Sequence, residues 1–185
     1  MKKFILAILA LSITTLAHAE GNYAGVKFET RNGLGGGLDS NVYSITAGQN
    51  INQFLDAEVY ARVKSNDDDS NNTRLEGALV GKLPLTTELS AYVRGGLGEK
   101  FDGTDNFAYW SVEPGVKYQV TNALAVKTGL RFRDAFNSGD QDSTRTWKVG
   151  AEYAITKNSV VSASIDRSYG DSEYVAYGLG YGVKF

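Results

Sequence analysis

Leu55-Asp56-Ala57-Glu58-Val59-Tyr60-Ala61-Arg62-Val63-Lys64 alternates, residue by residue, between an apolar series and a polar, mostly charged one. Side chains switch faces with period 2 along a strand, whereas a helix needs apolar residues at i, i+3 and i+4. The stretch therefore reads as a β-strand with Leu55, Ala57, Val59, Ala61 and Val63 on one face and the charges on the other.

The same alternation sets Leu89, Ala91, Val93 and Leu97 against Ser90, Tyr92, Arg94 and Gly98. It sets Leu124, Val126, Leu130 and Phe132 against Lys127, Arg131 and Arg133. Ten strands are predicted, at about 22–29, 41–50, 54–64, 73–83, 88–99, 107–119, 123–134, 145–155, 159–168 and 173–185. Longer polar connections follow the odd-numbered strands, around residues 32–40, 66–72, 102–106, 137–143 and 170–172. Tight turns follow the even-numbered ones, at 51–53, 84–87, 120–122 and 156–158. Long loops at one end and short turns at the other, joining strands of about ten residues, is the layout of an all-β, antiparallel up-and-down transmembrane barrel. Ten strands fit the pattern, with eight or twelve as alternatives.

The averages conceal this. Of 185 residues 42% are hydrophobic and the net charge is −2, as in a soluble domain. In a barrel only alternate residues face lipid, so mean hydropathy stays low. The 21 Gly, 11 Tyr and 8 Phe resist the soluble reading. Without cysteine, disulfides, thiolate metal sites, cysteine nucleophiles and lipidation at an N-terminal Cys drop out. The charge balance gives no reason to expect nucleic acid as a partner.

Residues 1–19 read as a signal peptide: Lys2-Lys3, an apolar run from Phe4 to Leu11, then Ala17-His18-Ala19 before the cut. The barrel domain is then 20–185, and cleavage removes the only histidine, His18. Imidazole chemistry leaves with it. On the apolar faces Trp110, Phe132 and Trp147 sit toward the loop ends of their strands, while Tyr118, Tyr153, Tyr181 and Phe185 sit toward the turn ends. That arrangement predicts two interfacial girdles. A soluble barrel would show the same alternation turned inside out. The leader, the girdles and the chain end favour the membrane.

The last strand, Tyr177 to Phe185, puts Tyr177, Leu179, Tyr181, Val183 and Phe185 on one face and ends on an aromatic. It resembles the C-terminal targeting strand of bacterial outer-membrane barrels, with Gly180, Tyr181, Val183 and Phe185 as the insertion signal. That resemblance implies the barrel-assembly machinery and outer-membrane lipid as partners, with both termini periplasmic. Segments such as residues 89–98 make the whole mature chain similar to the small OmpA-like and porin-like barrels. The lumen adds a fainter likeness to porins for acidic sugars.

Assigning the polar face of each strand to the lumen yields 13 basic residues: Lys27, Arg62, Lys64, Arg74, Lys82, Arg94, Lys100, Lys117, Lys127, Arg131, Arg133, Lys148 and Lys184. The acidic ones are Glu29, Asp56, Glu58, Glu76, Glu113, Glu152 and Asp166, so the interior is predicted to be basic beneath acidic loops. Extrapolated registers pair Arg62 with Glu76, Asp56 with Lys82, Arg94 with Glu113, Lys127 with Glu152 and Lys148 with Asp166. Lys117, Arg131, Arg133 and Lys100 are left without a complement, opposite small residues at Ser162, Ser164, Ala176, Gly178, Gly180 and Gly182. Two functions follow. One is passive, porin-like passage of small hydrophilic, anionic solutes; the other is a structural or surface-contact barrel whose salt-bridged lumen is closed.

No catalytic, metal or cofactor site is predicted. Asp67-Asp68-Asp69 lacks the spacing and glycine of a calcium loop and reads as a solvated tip. Gly33, Gly35, Gly36 and Gly37 precede neither a Gly-Lys-Ser/Thr sequence nor a helix, so they form no phosphate cradle. Asn71-Asn72-Thr73 matches a glycosylation sequon that carries little weight in a bacterial chain.

Overall fold

A computed structural model of the chain describes residues 21–34, 39–66, 71–102, 105–137, 139 and 142–185. The signal-peptide reading, the Asp67-Asp68-Asp69 tip and Gly35 to Gly37 lie outside them. Ten strands follow one another: β1 (Asn22–Gly33), β2 (Ser40–Asn52), β3 (Leu55–Asn66), β4 (Asn71–Pro84), β5 (Leu89–Asp102), β6 (Asp105–Gln119), β7 (Leu124–Ala135), β8 (Thr144–Ala154), β9 (Ser159–Gly170) and β10 (Tyr174–Lys184). Each pairs antiparallel with its sequence neighbours, and β1 pairs with β10, closing an up-and-down barrel. Closure leaves no sheet edge, as an apolar surrounding demands of a strand structure.

All ten segments expected from the sequence are strands, and several run further. β1 continues past residue 29, so that Arg31 points inward opposite Ser40 and Ala176. Its neighbours Thr30 and Asn32 are as polar as Arg31, so the hydropathy contrast fades before the backbone pairing does.

Three of the four tight turns share a device. In Leu85–Glu88, Val120–Ala123 and Ile155–Asn158 the first two backbone N–H groups donate to the carbonyl of the first residue of the next strand. The second residue is always threonine, and its hydroxyl accepts from the N–H groups two and three residues on, at 3.0 to 3.2 Å. The threonine thereby satisfies donors that a short turn would strand. The β2–β3 turn, Gln53 and Phe54, differs: Asn52 Oδ1 takes the Phe54 N–H at 2.8 Å, beside a register shift at Asn50/Asn52.

Between β6 and β7 the ladder is interrupted from Val112↔Phe132 to Gly115↔Gly129. Pro114 lies in the gap and has no N–H to donate. Glu113 and Arg131, two lumen charges, occupy the same gap.

The outer face is apolar and exposed around the whole barrel, through Val26, Val59, Leu79, Leu97, Val126, Val149, Ile165 and Leu179. Leu97 and Leu179 are 64% and 68% exposed, more than an aqueous surface tolerates over a continuous band. Trp110, Trp147 and Tyr169 flank the band at the loop end; Tyr118, Tyr153, Tyr181 and Phe185 do so at the turn end. Such a surface is solvated by lipid, and the strands span the membrane.

Candidate functional site

The functional surface of such a barrel is its interior and its loops, and strand parity decides what enters the interior. Residues directly opposed in the ladders share a face, so Tyr23↔Lys184, Arg94↔Glu113 and Lys148↔Asp166 all point inward while Val26↔Tyr181 points outward. Arg62, Lys64, Arg74, Glu76, Lys82, Lys117, Lys127, Arg131, Arg133 and Glu152 lie on the same inner parity. On β10, Gly180 faces in and Tyr181, Val183 and Phe185 face out, with Tyr181 and Phe185 at the rim of the apolar surface.

The interior has two unlike halves. Toward the turns, Lys117 and Lys127 both grip Glu152 at 2.7 Å, and Lys82 holds Asp56 at 2.7 Å. The side chains of Lys117 and Lys127 stay 41% and 45% exposed. Lys148 pairs with Glu113 at 2.8 Å, and Lys27 joins Glu29 at 2.7 Å and Asp166 at 3.8 Å. The wall made by β9 and β10 carries the small residues Ser162, Ser164, Gly178, Gly180 and Gly182 on its inner face, with Val160 opposite Gly182, and the Lys27 side chain lies over Gly178.

At mid-barrel one buried carboxylate gathers two guanidinium groups. The Glu76 side chain, 0% exposed, pairs with Arg94 of β5 and with Arg131 of β7, and it accepts from the Ser111 hydroxyl at 3.3 Å. Arg94 reaches on to Glu58 of β3 at 2.8 Å. Glycine makes room for this clamp: a Cβ on Gly96 would lie 2.6 Å from Glu76 Oε1, and one on Gly98 would lie 2.6 Å from the Tyr109 ring.

Toward the loops the interior is packed. Val42, Arg62, Arg74, Tyr109, Arg133, Thr144 and Ser168 are all buried. Asp142, just before β8, is buried too: it accepts from Arg133 at 2.7 and 2.8 Å and from Arg74 at 3.0 Å. Burial alone would raise its carboxyl, but Arg133 and Arg74 outweigh that and hold it below the ordinary aspartate range. Arg31 donates to Glu29 at 2.9 Å and stacks 4.3 Å over Tyr174.

These contacts correct part of the sequence reading. The β3–β4 register puts Arg62 opposite Arg74 and Tyr60 opposite Glu76, so the expected Arg62–Glu76 pair does not form. The β7–β8 register puts Lys127 opposite Gly150, although Lys127 still reaches Glu152 diagonally, as Lys82 reaches Asp56. Arg94↔Glu113 and Lys148↔Asp166 are opposed as expected, yet the short ion pairs go elsewhere: Arg94 reaches Glu76 on its other neighbour, β4, and skips a strand to Glu58, and Lys148 skips a strand to Glu113. Lys117, Arg131 and Arg133, expected to stand alone, are all partnered, and Lys100 Nζ lies 5.0 Å over the Phe107 ring. Asp142, expected in a loop, is buried in the lumen, and Arg31, which lies beyond the expected end of β1 at residue 29, points inward as well.

Among the described residues no cluster of three or more His, Asp or Glu side chains could hold a metal ion. No curated protein matches the chain in sequence. Solved structures similar in fold include an outer membrane channel from Pseudomonas putida F1, at TM-score 0.60 and 10% identity over 90% of this chain and 96% of that one. The β domain of the Bordetella autotransporter BrkA aligns at 0.58 and 10% over 89% and 99%. KdgM porin in complex with disordered oligogalacturonate aligns at 0.55 and 14% over 88% and 99%. Residues 4–154 match the family described as outer membrane protein beta-barrel domain. A match over that much of the chain shows its family: the protein is a member of the outer membrane protein beta-barrel domain family, a barrel of the bacterial outer membrane.

Proposed function

We propose that the barrel is a narrow, non-enzymatic, porin-like channel through which small hydrophilic anions move down their gradients, with both chain ends and the tight turns in the periplasm. The observation that carries this is the turn-side half of the lumen, where the side chains of Lys117 and Lys127 remain nearly half-exposed although both pair with Glu152, inside a barrel whose β9–β10 wall carries glycine and serine. Over the whole interior, adding Arg31 to the cations and Asp142 to the carboxylates leaves the basic excess expected from the sequence unchanged. A basic ring at close quarters favours anions over cations. The same fold accommodates an acidic oligosaccharide in the KdgM porin. In this reading flow is limited at Glu76, whose clamp ties β4 to β5 and β7, and at the packed Arg74–Asp142–Arg133 level above it.

That clamp also favours a second reading, a closed structural barrel, because a fully buried carboxylate holding two guanidinium groups fills part of the section of a barrel little wider than its own side chains. Single-channel recording of the refolded protein in planar bilayers separates the two. Steady openings support the channel. Silence from a preparation that still shows heat-modifiable barrel migration establishes the closed barrel instead.

A further inference from the structure

The loop half of the lumen holds more guanidinium than its carboxylates neutralise. Arg31, Arg62, Arg74 and Arg133 are all buried there, and Arg62 and Arg74 are directly opposed on β3 and β4. Arg31 is taken by Glu29, while Arg74 and Arg133 share the single carboxylate of Asp142. None of the ion pairs among the described residues includes Arg62. The ionisable groups that face it include three further cations, Arg31, Arg133 and Lys64, and the phenols of Tyr60 and Tyr174. Arg62 is nonetheless only 5% exposed. Its Nε, and Nε and Nη1 of Arg74, are buried with no hydrogen-bond partner among the described residues. Buried donors and buried like charges in contact are both strongly unfavourable unless an anion joins them.

We propose that this cluster is a binding site for a free oxyanion of the carboxylate, sulfate or phosphate class. Arg62 and the unpartnered Nε and Nη1 of Arg74 are its principal donors. Asp142 shows the geometry on the far side of the same group: its two oxygens take Nε and Nη2 of Arg133 side by side, at 2.7 and 2.8 Å, the fork that suits any oxyanion. The site is also pre-oriented. Arg31 lies 4.3 Å over the Tyr174 ring, and Arg74 and Arg133 lie 5.6 and 5.8 Å from the centre of the Tyr109 ring, so stacking holds the guanidinium planes before a ligand arrives. Conduction plays no part in this reading: a closed barrel binds the anion as an open one does.

The test is calorimetric titration of the full, refolded barrel in detergent with inorganic sulfate, at ionic strength fixed with chloride. One saturable site is expected. Arg62→Gln weakens it at least tenfold, and Asp142→Asn tightens it several-fold, because a competing carboxylate has gone. Lys157→Gln, in the β8–β9 turn, leaves it unchanged. Sulfate heats that never saturate, or equal affinities for the parent and Arg62→Gln, overturn the proposal. If Arg62→Gln does not refold, Asp142→Asn decides alone: unchanged or weaker sulfate binding in that variant overturns it.

Discussion

Replacing Glu76 by glutamine keeps the shape of the mid-barrel clamp and removes its charge. Arg94 retains Glu58 at 2.8 Å, whereas Glu76 is the ion-pair partner of Arg131 among the described residues. The variant thus takes the ion pair from one interior cation rather than two, with Glu113 still acting on Arg131 at longer range. Breaking a buried pair from one side costs about 3–5 kcal/mol. The side chain of Arg131 is 16% exposed and glutamine still accepts a hydrogen bond, which places Glu76→Gln near the lower end, about 3 kcal/mol. With a urea slope of about 1–3 kcal/mol per molar, the unfolding midpoint in lipid vesicles falls by about 1–3 M. The double variant Glu76→Gln, Arg131→Gln removes both charges and recovers most of that loss. A Glu76→Gln midpoint within the ~0.5 kcal/mol typical of surface substitutions refutes the clamp.

Three further outcomes follow from the same geometry. Gly170 has φ +96° and a Cβ there would meet the Ser143 carbonyl oxygen, so Gly170→Ala loses more than ~1 kcal/mol. Gly77 faces lipid with nothing within 4 Å, so Gly77→Ala shifts the same thermal-unfolding scan by less than ~0.5 kcal/mol; equal shifts contradict the account. Because the Asp142 carboxyl titrates below its unfolded value of about 3.9, the stability it contributes is complete above that pH and is lost as pH falls through the folded value. The gap in unfolding temperature between the parent and Asp142→Asn therefore closes on acidification below about pH 4, and a gap that stays constant down to pH 2.5 contradicts it. Deleting Phe185 lowers assembly into the outer membrane of cells yet permits refolding of purified chain into vesicles; unchanged assembly in cells removes the targeting role.

The strands were legible because apolar–polar alternation is a direct image of a sheet with lipid on one side, as in residues 55–64. Parity survived even where register did not, because a slip of two residues returns every side chain to the same face. The registers that match are β5–β6 and β8–β9, and in both a short connection fixes the offset. The first is expected from the sequence to have a longer polar connection, yet β5 runs to Asp102 and β6 starts at Asp105; the second has the four-residue Thr156 turn. The two that slipped, β3–β4 and β7–β8, are joined by longer polar loops that leave the offset free. Partners were the least legible feature. A ladder drawn from neighbouring strands treats the sheet as flat, but the barrel's curvature brings inward side chains together, so Arg94 meets Glu58, Lys117 meets Glu152 and Arg131 crosses to Glu76. The composition that first looked anomalous follows from that crowding. Gly48, Gly98 and Gly115 stand where Tyr23, Tyr109 and Tyr92 need the space.

The reversal potential of the refolded barrel in a planar bilayer, under a tenfold gradient of potassium chloride, addresses the central claim most directly. The sign is expected to report anion preference, and charge reversal at Lys117→Glu and Lys127→Glu together is expected to move it toward cations. A barrel that prefers potassium, or a preference that both substitutions leave untouched, contradicts a basic lumen as the conducting path.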